Sequence, residues 1–313
     1  MGLQVSRSLH ILFLLLILVS LLYFLSMQKD TLLLLKGIRV EGLYILIAIS
    51  PLFLLSNALI LRSLLRLFNV KLILRECLGI CSVTAVGNLL TAFGGGTITK
   101  AIYLERRHAF QYTAFLSSMS AVYLLDLLLV GFLGGAIIAF NGFLDSEKSL
   151  TVFGGFLCMG VASITLLLTP IRLKEGNGWI ADKLSNLFSG WKTIKGDSKL
   201  MVKIGLLLLL NNILAALELI AGYYSFSTVV EFPTALLIGM VTGLLNVVKL
   251  TPANLGVQEA VIAFSSTLMG IGFGEGLLAA ALIRIVSMAT VFVYAGIFGG
   301  YFVLSRYSKS KND

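Results

Sequence analysis

Apolar runs of about 20 residues, the length a helix needs to cross a bilayer, recur along this chain, and two of them are broken by polar, glycine-bearing stretches. The first break is Asn88–Leu89–Leu90–Thr91–Ala92–Phe93–Gly94–Gly95–Gly96. The second is Asn246–Val247–Val248–Lys249–Leu250–Thr251–Pro252–Ala253–Asn254–Leu255–Gly256, running on to Gln258 and Glu259. Placing Ala92 over Pro252 also places Gly96 over Gly256, with an Asn shortly upstream in both. Spanning lipid requires no such break. Irregular backbone at membrane depth persists only where protein or a water-filled cavity satisfies its polar groups. A matched pair of broken segments in corresponding halves is a sequence pointer to a transporter's binding site.

Of the 313 residues, 58% are hydrophobic and 12% are charged, with a mean hydropathy of +0.98. Soluble domains carry about 25% charged residues. No polar stretch is long enough for a soluble domain of roughly 50 residues or more. The expected fold is therefore all-α, a polytopic transmembrane helical bundle forming one integral membrane domain over residues 1–313. The net charge of +9 fits the positive-inside rule rather than nucleic-acid binding, because the basic residues fall mostly in loops beside spans. Some of them suit anionic lipid headgroups.

Cys77 and Cys81 lie one helical turn apart, but no other Cys and no nearby His completes a metal site, so packing is their expected role. His10 and His108 have no metal-ligand neighbour in sequence. Neither a metal nor a cofactor is expected. The run Leu9–Met27 follows Arg7, is longer than a signal-peptide core and lacks a small-x-small cleavage site, so a retained first span is expected.

The further expected spans are Gly42–Leu61, Tyr112–Phe140, Leu150–Thr169, Val202–Phe226 and Gly276–Leu304, with the broken segments Leu78–His108 and Phe232–Gly274 between them. Pro51 is expected to kink the second span, and Pro170 to end the fourth intact one. The loops Arg62–Glu76 and Pro170–Lys203 and the C-terminal tail are basic and read as cytoplasmic, whereas Asn141–Ser149 is acidic and reads as external. The slightly basic loop Gln28–Glu41 runs against this pattern. Segment Leu78–His108 has basic flanks at both ends. Segment Phe232–Gly274 lies between Glu231 and Glu275. The expectation is two re-entrant, broken-helix hairpins of opposite orientation in an inverted repeat, with half-repeats over residues 42–140 and 202–304 and both termini cytoplasmic. The halves of the second hairpin are nearly long enough to be full spans, which would leave the C-terminus on the same side. Within residues 170–203, Trp179, Ile180, Leu184, Leu187, Phe188 and Trp191 recur at helical spacing with lysines interleaved. That suits an amphipathic helix on the inner leaflet, or a linker helix packed on the bundle.

Charges inside apolar spans are costly and usually face a cavity or a partner. Here they are Asp126, Glu218, Lys249, Glu259 and Arg284, with Lys100 just after the first break. Internal pairing that only fixes helix packing is the alternative role. Lys100 and Lys249 flank the breaks, where they suit a phosphate helped by free amides at half-helix starts; snorkelling to the interface is the plain alternative for Lys100. Asn211 and Asn212 lie mid-span and suit hydrogen bonds between helices. Asn88, Asn246, Asn254 and Gln258 surround the breaks, and Asn254 also suits a left-handed turn position. No Ser/His/Asp grouping occurs, and no Gly-Lys-Ser/Thr follows Gly94–Gly95–Gly96, so these glycines permit a sharp turn rather than hold a nucleotide.

At these residues the chain resembles the transmembrane-region family of lysylphosphatidylglycerol synthases. The strongest match is Pro252–Ala253–Asn254–Leu255–Gly256–Val257–Gln258–Glu259–Ala260, followed at a family-like distance by Arg284. The family pattern there is Pro-Gly-Gly-Leu-Gly-Val-Arg-Glu-Ala, so Gln258 replaces a basic residue. The stretch from Asn88 to Lys100 resembles the family's Asn-Leu-Leu-Pro…Gly-Glu/Asp-x-x-Arg, with Ala92 in place of the proline, Thr97 in place of the acid and Lys100 keeping the positive charge. Leu124–Leu125–Asp126–Leu127 resembles a third patch, with Tyr123 where an Arg is usual. The resemblance implies lipid handling of the flippase kind and, since the chain stops at Asp313, a membrane part without the lysyl-transferring soluble domain and without that enzymatic activity.

The function expected from both lines is a transporter or flippase in the cell membrane that moves an anionic lipid or lipid-linked substrate between leaflets. A transporter of a small soluble anion and a non-transporting scaffold for a partner enzyme are the alternatives. The candidate binding set is Asn88, Gly96, Lys100, Asp126, Asn246, Lys249, Pro252, Asn254, Gly256, Gln258, Glu259 and Arg284. Membrane lipids are the expected partners, with a homodimer or a lipid-modifying enzyme as further ones and no nucleic acid.

Overall fold

The computed structural model describes residues 37–91, 94–140, 147–168, 196–245 and 251–300. The expected first span Leu9–Met27, most of the amphipathic loop, and the candidates Asn246 and Lys249 lie outside the described residues. The described residues form nine α-helices and no strand: α1 (Val40–Leu67), α2 (Leu74–Leu90), α3 (Gly95–His108), α4 (Tyr112–Phe140), α5 (Glu147–Leu168), α6 (Ser198–Tyr224), α7 (Phe232–Leu244), α8 (Val257–Leu268) and α9 (Phe273–Phe298), with a 3-10 turn at Pro252–Asn254. Of these, α1, α4, α6 and α9 are long and apolar enough to cross a membrane. The protein is a multi-pass, all-helical membrane protein.

Local chemistry sets the helix ends. Glu41 lies in the first turn of α1 and Arg66 in its last, each complementing the helix dipole. Asp197 caps α6 by accepting from the Leu200 amide at 3.0 Å. Pro233 sits in the first turn of α7, where its missing N–H costs nothing. Ala109 closes α3 in the left-handed conformation, and the Phe110 amide returns to the Leu104 carbonyl at 3.2 Å.

Two short helices lie between two long ones, twice. The lengths are 28, 17, 14 and 29 residues for α1 to α4, and 27, 13, 12 and 26 for α6 to α9. At about 1.5 Å per residue, α7 and α8 are roughly 20 and 18 Å long, short of a hydrocarbon core of about 30 Å. The packing repeats as well. Exchanging α1 with α6, α2 with α7, α3 with α8 and α4 with α9 maps the pair α1/α2 onto α6/α7, α2/α3 onto α7/α8 and α3/α4 onto α8/α9. It also maps α2/α9 onto α7/α4 and α1/α9 onto α6/α4, and it leaves α1/α6 in place. The pair α6/α9 has no strong counterpart, and α5 packs chiefly on α4.

The helices α1 and α6 run antiparallel. The Arg39 amide donates to the Ser225 carbonyl at 2.9 Å, Ser50 Oγ to Glu218 Oε1 at 2.9 Å, and Ser56 Oγ to the Leu207 carbonyl at 3.3 Å. Beyond these, Ile60 and Leu64 share a buried cluster with Leu200, Ile204 and Leu208.

Each pair of short helices forms a hairpin. The α2–α3 base sits at the C-terminal end of α1, where Arg62 Nε donates to the Leu72 carbonyl at 3.2 Å. There Glu76 Oε1 takes the Tyr103 hydroxyl and His108 Nε2, each at 3.0 Å, with Arg107 Nε 3.7 Å away. The α7–α8 base sits at the C-terminal end of α6, where the Tyr223 hydroxyl bonds to Ser266 Oγ. The two bases therefore lie at opposite ends of the α1/α6 pair. Exposed Val202, Leu206 and Leu210 recur every four residues on α6, an apolar stripe of the kind a lipid-facing helix presents.

Candidate functional site

In the first break, Gly94 opens α3 with φ 74°, a left-handed conformation that glycine adopts without penalty. Gly96 packs so tightly on α2 that a Cβ there would collide with the Thr84 carbonyl oxygen. Asn88, near the end of α2, accepts from the Thr97 amide through Oδ1 at 3.1 Å. It thus satisfies one of the N–H groups that the start of a helix leaves unbonded.

The second break is a tighter turn. Ala253 (φ 47°), Asn254 (φ 54°) and Gly256 (φ 80°) all have positive φ. Asn254 is buried, and its Nδ2 donates to the Leu245 carbonyl at 2.6 Å, closing the end of α7 onto the turn. Thr251 Oγ1 donates to the Leu255 carbonyl at 2.9 Å. Glu259, in the first turn of α8, accepts from the Gly256 amide through Oε2 at 2.8 Å. A carboxylate there also complements the positive end of the helix dipole. The turn Pro252–Asn254 packs against α2, so part of the second break meets the first hairpin.

Arg284 on α9 ties this turn together. Its Nε donates to Glu259 Oε1 at 2.6 Å, Nη2 to Gln258 Oε1 at 2.7 Å, and Nη1 to the Ala253 carbonyl at 3.0 Å. The Arg284 and Glu259 side chains are only 14% and 10% exposed. Three of the five guanidinium N–H groups are spent on the turn, which leaves two.

The other candidates sit apart. Lys100 Nζ lies over the Phe115 ring, 5.6 Å from its centroid, a cation–π contact between α3 and α4. Asp126 on α4 accepts from Asn212 Nδ2 on α6 at 3.3 Å. Cys77 and Cys81 are buried free thiols that pack in the core around the first hairpin. No group of three His, Cys, Asp or Glu side chains suited to a metal ion occurs among the described residues. The Ala253 carbonyl and the Thr97 amide are site groups that side-chain identities alone do not reveal. The positive φ of Ala253 lies in a turn that the Pro252 and Gly256 signals mark only in outline.

A family model described as the lysylphosphatidylglycerol synthase TM region matches residues 9–295. No curated protein and no solved structure gives a match.

Proposed function

Because the chain belongs to the lysylphosphatidylglycerol synthase transmembrane-region family, we propose that it moves an anionic lipid or lipid-linked substrate between the leaflets of the cell membrane. The observation that carries this reading is Arg284, a largely buried cation bonded to the broken turn of one hairpin, which itself packs on the other hairpin. A buried cation beside unwound backbone and a half-helix start is an arrangement suited to an anionic headgroup. Asn88, Gly96, Pro252, Asn254, Gly256, Gln258 and Glu259 shape the site, and Lys100, Asp126, Asn246 and Lys249 complete the candidate set.

The two hairpins are read as re-entrant and the halves as an inverted repeat. Support comes from the shortness of α7 and α8, the opposed hairpin bases and the antiparallel packing of the corresponding helices α1 and α6. A rotation exchanging two antiparallel helices lies in the membrane plane, which is the inverted-repeat relation. Both termini are placed in the cytoplasm on loop charge. The chain is read as a transporter without lysyl-transfer activity, with membrane lipids as its partners.

The test is reconstitution in vesicles with a labelled anionic phospholipid, a labelled zwitterionic phospholipid and a labelled soluble phosphate. Faster movement of the anionic lipid alone supports the proposal. Uptake of the soluble phosphate without lipid movement replaces it with a soluble-anion transporter. No movement of any probe leaves a scaffold for a partner enzyme as the reading.

A further inference from the structure

A carboxyl group buried at the meeting of the two halves takes no part in the anion site. Glu218 on α6 is 9% exposed. Its Oε1 accepts from Ser50 Oγ across the α1/α6 contact at 2.9 Å. Four helices, α1, α4, α7 and α9, pack around α6. The charged groups that these bring toward this part of α6 are Arg39 and Glu41 at the start of α1, Asp126 on α4, and Glu275 and Arg284 on α9; α7 carries none. Arg39 lies over the Tyr224 ring, Asp126 is bonded to Asn212, and Arg284 is bonded to the broken turn. Among the described residues none forms an ion pair with Glu218.

An ionised carboxylate withdrawn from water without a cation loses more solvation than one neutral hydroxyl returns. Ser50 is the one hydrogen-bond partner seen for Glu218 among the described residues. The neutral acid is the form that fits this packing. The place matters as much as the state. The helices α1 and α6 exchange with each other when the halves are exchanged, so their contact forms the seam between the halves. On the same face of α6, two turns earlier, Asn211 holds a buried Oδ1 without a hydrogen-bond partner among the described residues. The seam therefore carries a second polar station.

We infer that Glu218 is a proton-binding site in the seam between the halves: it holds a proton while α1 and α6 are packed together, and releases it to water when the seam opens. In the opening step the carboxyl O–H bond breaks, the proton passes to water and a hydrated carboxylate remains. Closing reverses each change. A group that binds a proton in one conformation and not in the other lets a proton gradient bias the equilibrium between them. That coupling and the opening of the seam rest on the transport function proposed above; the protonated carboxyl in the packed seam does not.

The experiment uses the full chain in vesicles of anionic and zwitterionic phospholipid. Infrared difference spectra are recorded as pH is stepped, and a fluorescent anionic phospholipid is the transport probe. The wild-type protein should show a protonated-carboxyl band that disappears reversibly as pH rises. Glu218→Gln should remove that band, while Asp126→Asn, at the carboxyl bonded to Asn212, should leave it. Ser50→Ala should displace the pH at which it disappears. Probe movement should respond to an imposed pH gradient in the wild type and lose that response in Glu218→Gln. A band that is missing, or that ignores pH or Glu218→Gln, overturns the proton site. If Glu218→Gln does not fold, an unchanged titration in Ser50→Ala overturns it. A titrating Glu218 band with a probe indifferent to the gradient overturns the coupling and keeps the site. If the wild type moves no probe at any pH, the transport function falls, and the infrared titration alone decides Glu218.

Discussion

Arg284 donates a hydrogen bond to the carbonyl of Ala253, 3.0 Å away, and Ala253 is held at a φ of 47°. An alanine in the left-handed region carries a strain of about 1–2 kcal/mol. A guanidinium bonded to that carbonyl, while also gripping Glu259 and Gln258, stabilises the strained turn. The cation that suits an anionic ligand is thus also a structural clamp on the break, and ligand binding and turn geometry are tied to the same side chain.

Arg284→Ala should destabilise the fold by about 3–5 kcal/mol, because Glu259 is left as a buried charge without its partner. Glu259→Gln should cost less and still alter transport. The double variant Glu259→Gln with Arg284→Ala should regain much of the stability lost by Arg284→Ala, yet move no lipid. Thermal unfolding in detergent and vesicle transport check this together. Wild-type expression and transport in either single variant would make the pair a spectator.

Gln258→Arg should replace a hydrogen-bond acceptor beside Arg284 with a second guanidinium. Losing the 2.7 Å bond and adding a like charge should lower stability by about 1–3 kcal/mol. Added anionic phospholipid should restore more stability in this variant than in the wild type, since it binds the folded state and offsets the repulsion. Unfolding midpoints with and without anionic lipid provide the measurement. An equal lipid effect in both proteins counts against an anion at this position.

Asn88→Ala should loosen the start of α3, with a cost of about 1 kcal/mol for the lost cap. Asn88→Asp should be close to the wild type, because it keeps the acceptor for the Thr97 amide. Hydrogen exchange across residues 94–100 reads the effect, and unchanged protection in Asn88→Ala would show that the cap contributes nothing.

Single-cysteine labelling in a cysteine-free background tests the proposed topology. Positions beside Arg107 should react from the cytoplasmic face, and positions beside Glu231 and Glu275 from the outer one. Labelling of Glu231 and Glu275 neighbours from opposite faces would remove the second re-entrant hairpin.

Hydropathy made the long spans legible, because a lipid-crossing helix must be apolar along its length. It placed the end of the second span at Leu61, whereas α1 continues to Leu67. The extra turns carry Arg62 and Arg66, whose charge hides a helix continuing past the apolar stretch. The breaks are legible from Gly94, Pro252 and Gly256, since such residues mark turns, and Glu259 and Arg284 stand out as charges inside apolar spans. The contact of Lys100 with the Phe115 ring has no local pattern in the letters. The Ser50–Glu218 bond joins residues far apart in sequence, and the Ala253 carbonyl belongs to every residue's backbone, so neither could be read before the fold.

With 13 and 12 residues, α7 and α8 each offer the insertion machinery less than one full span. Machinery that scores hydrophobic segments one at a time has little reason to retain such pieces in the bilayer on their own. By the time they are synthesised, α6 is already made, and α7 packs directly on it. A preformed protein surface can shelter the carbonyls and amides of the turn that lipid would reject. On the re-entrant topology proposed above, the order of synthesis becomes part of how this chain folds: the second hairpin is built as a guest of the helix translated just before it.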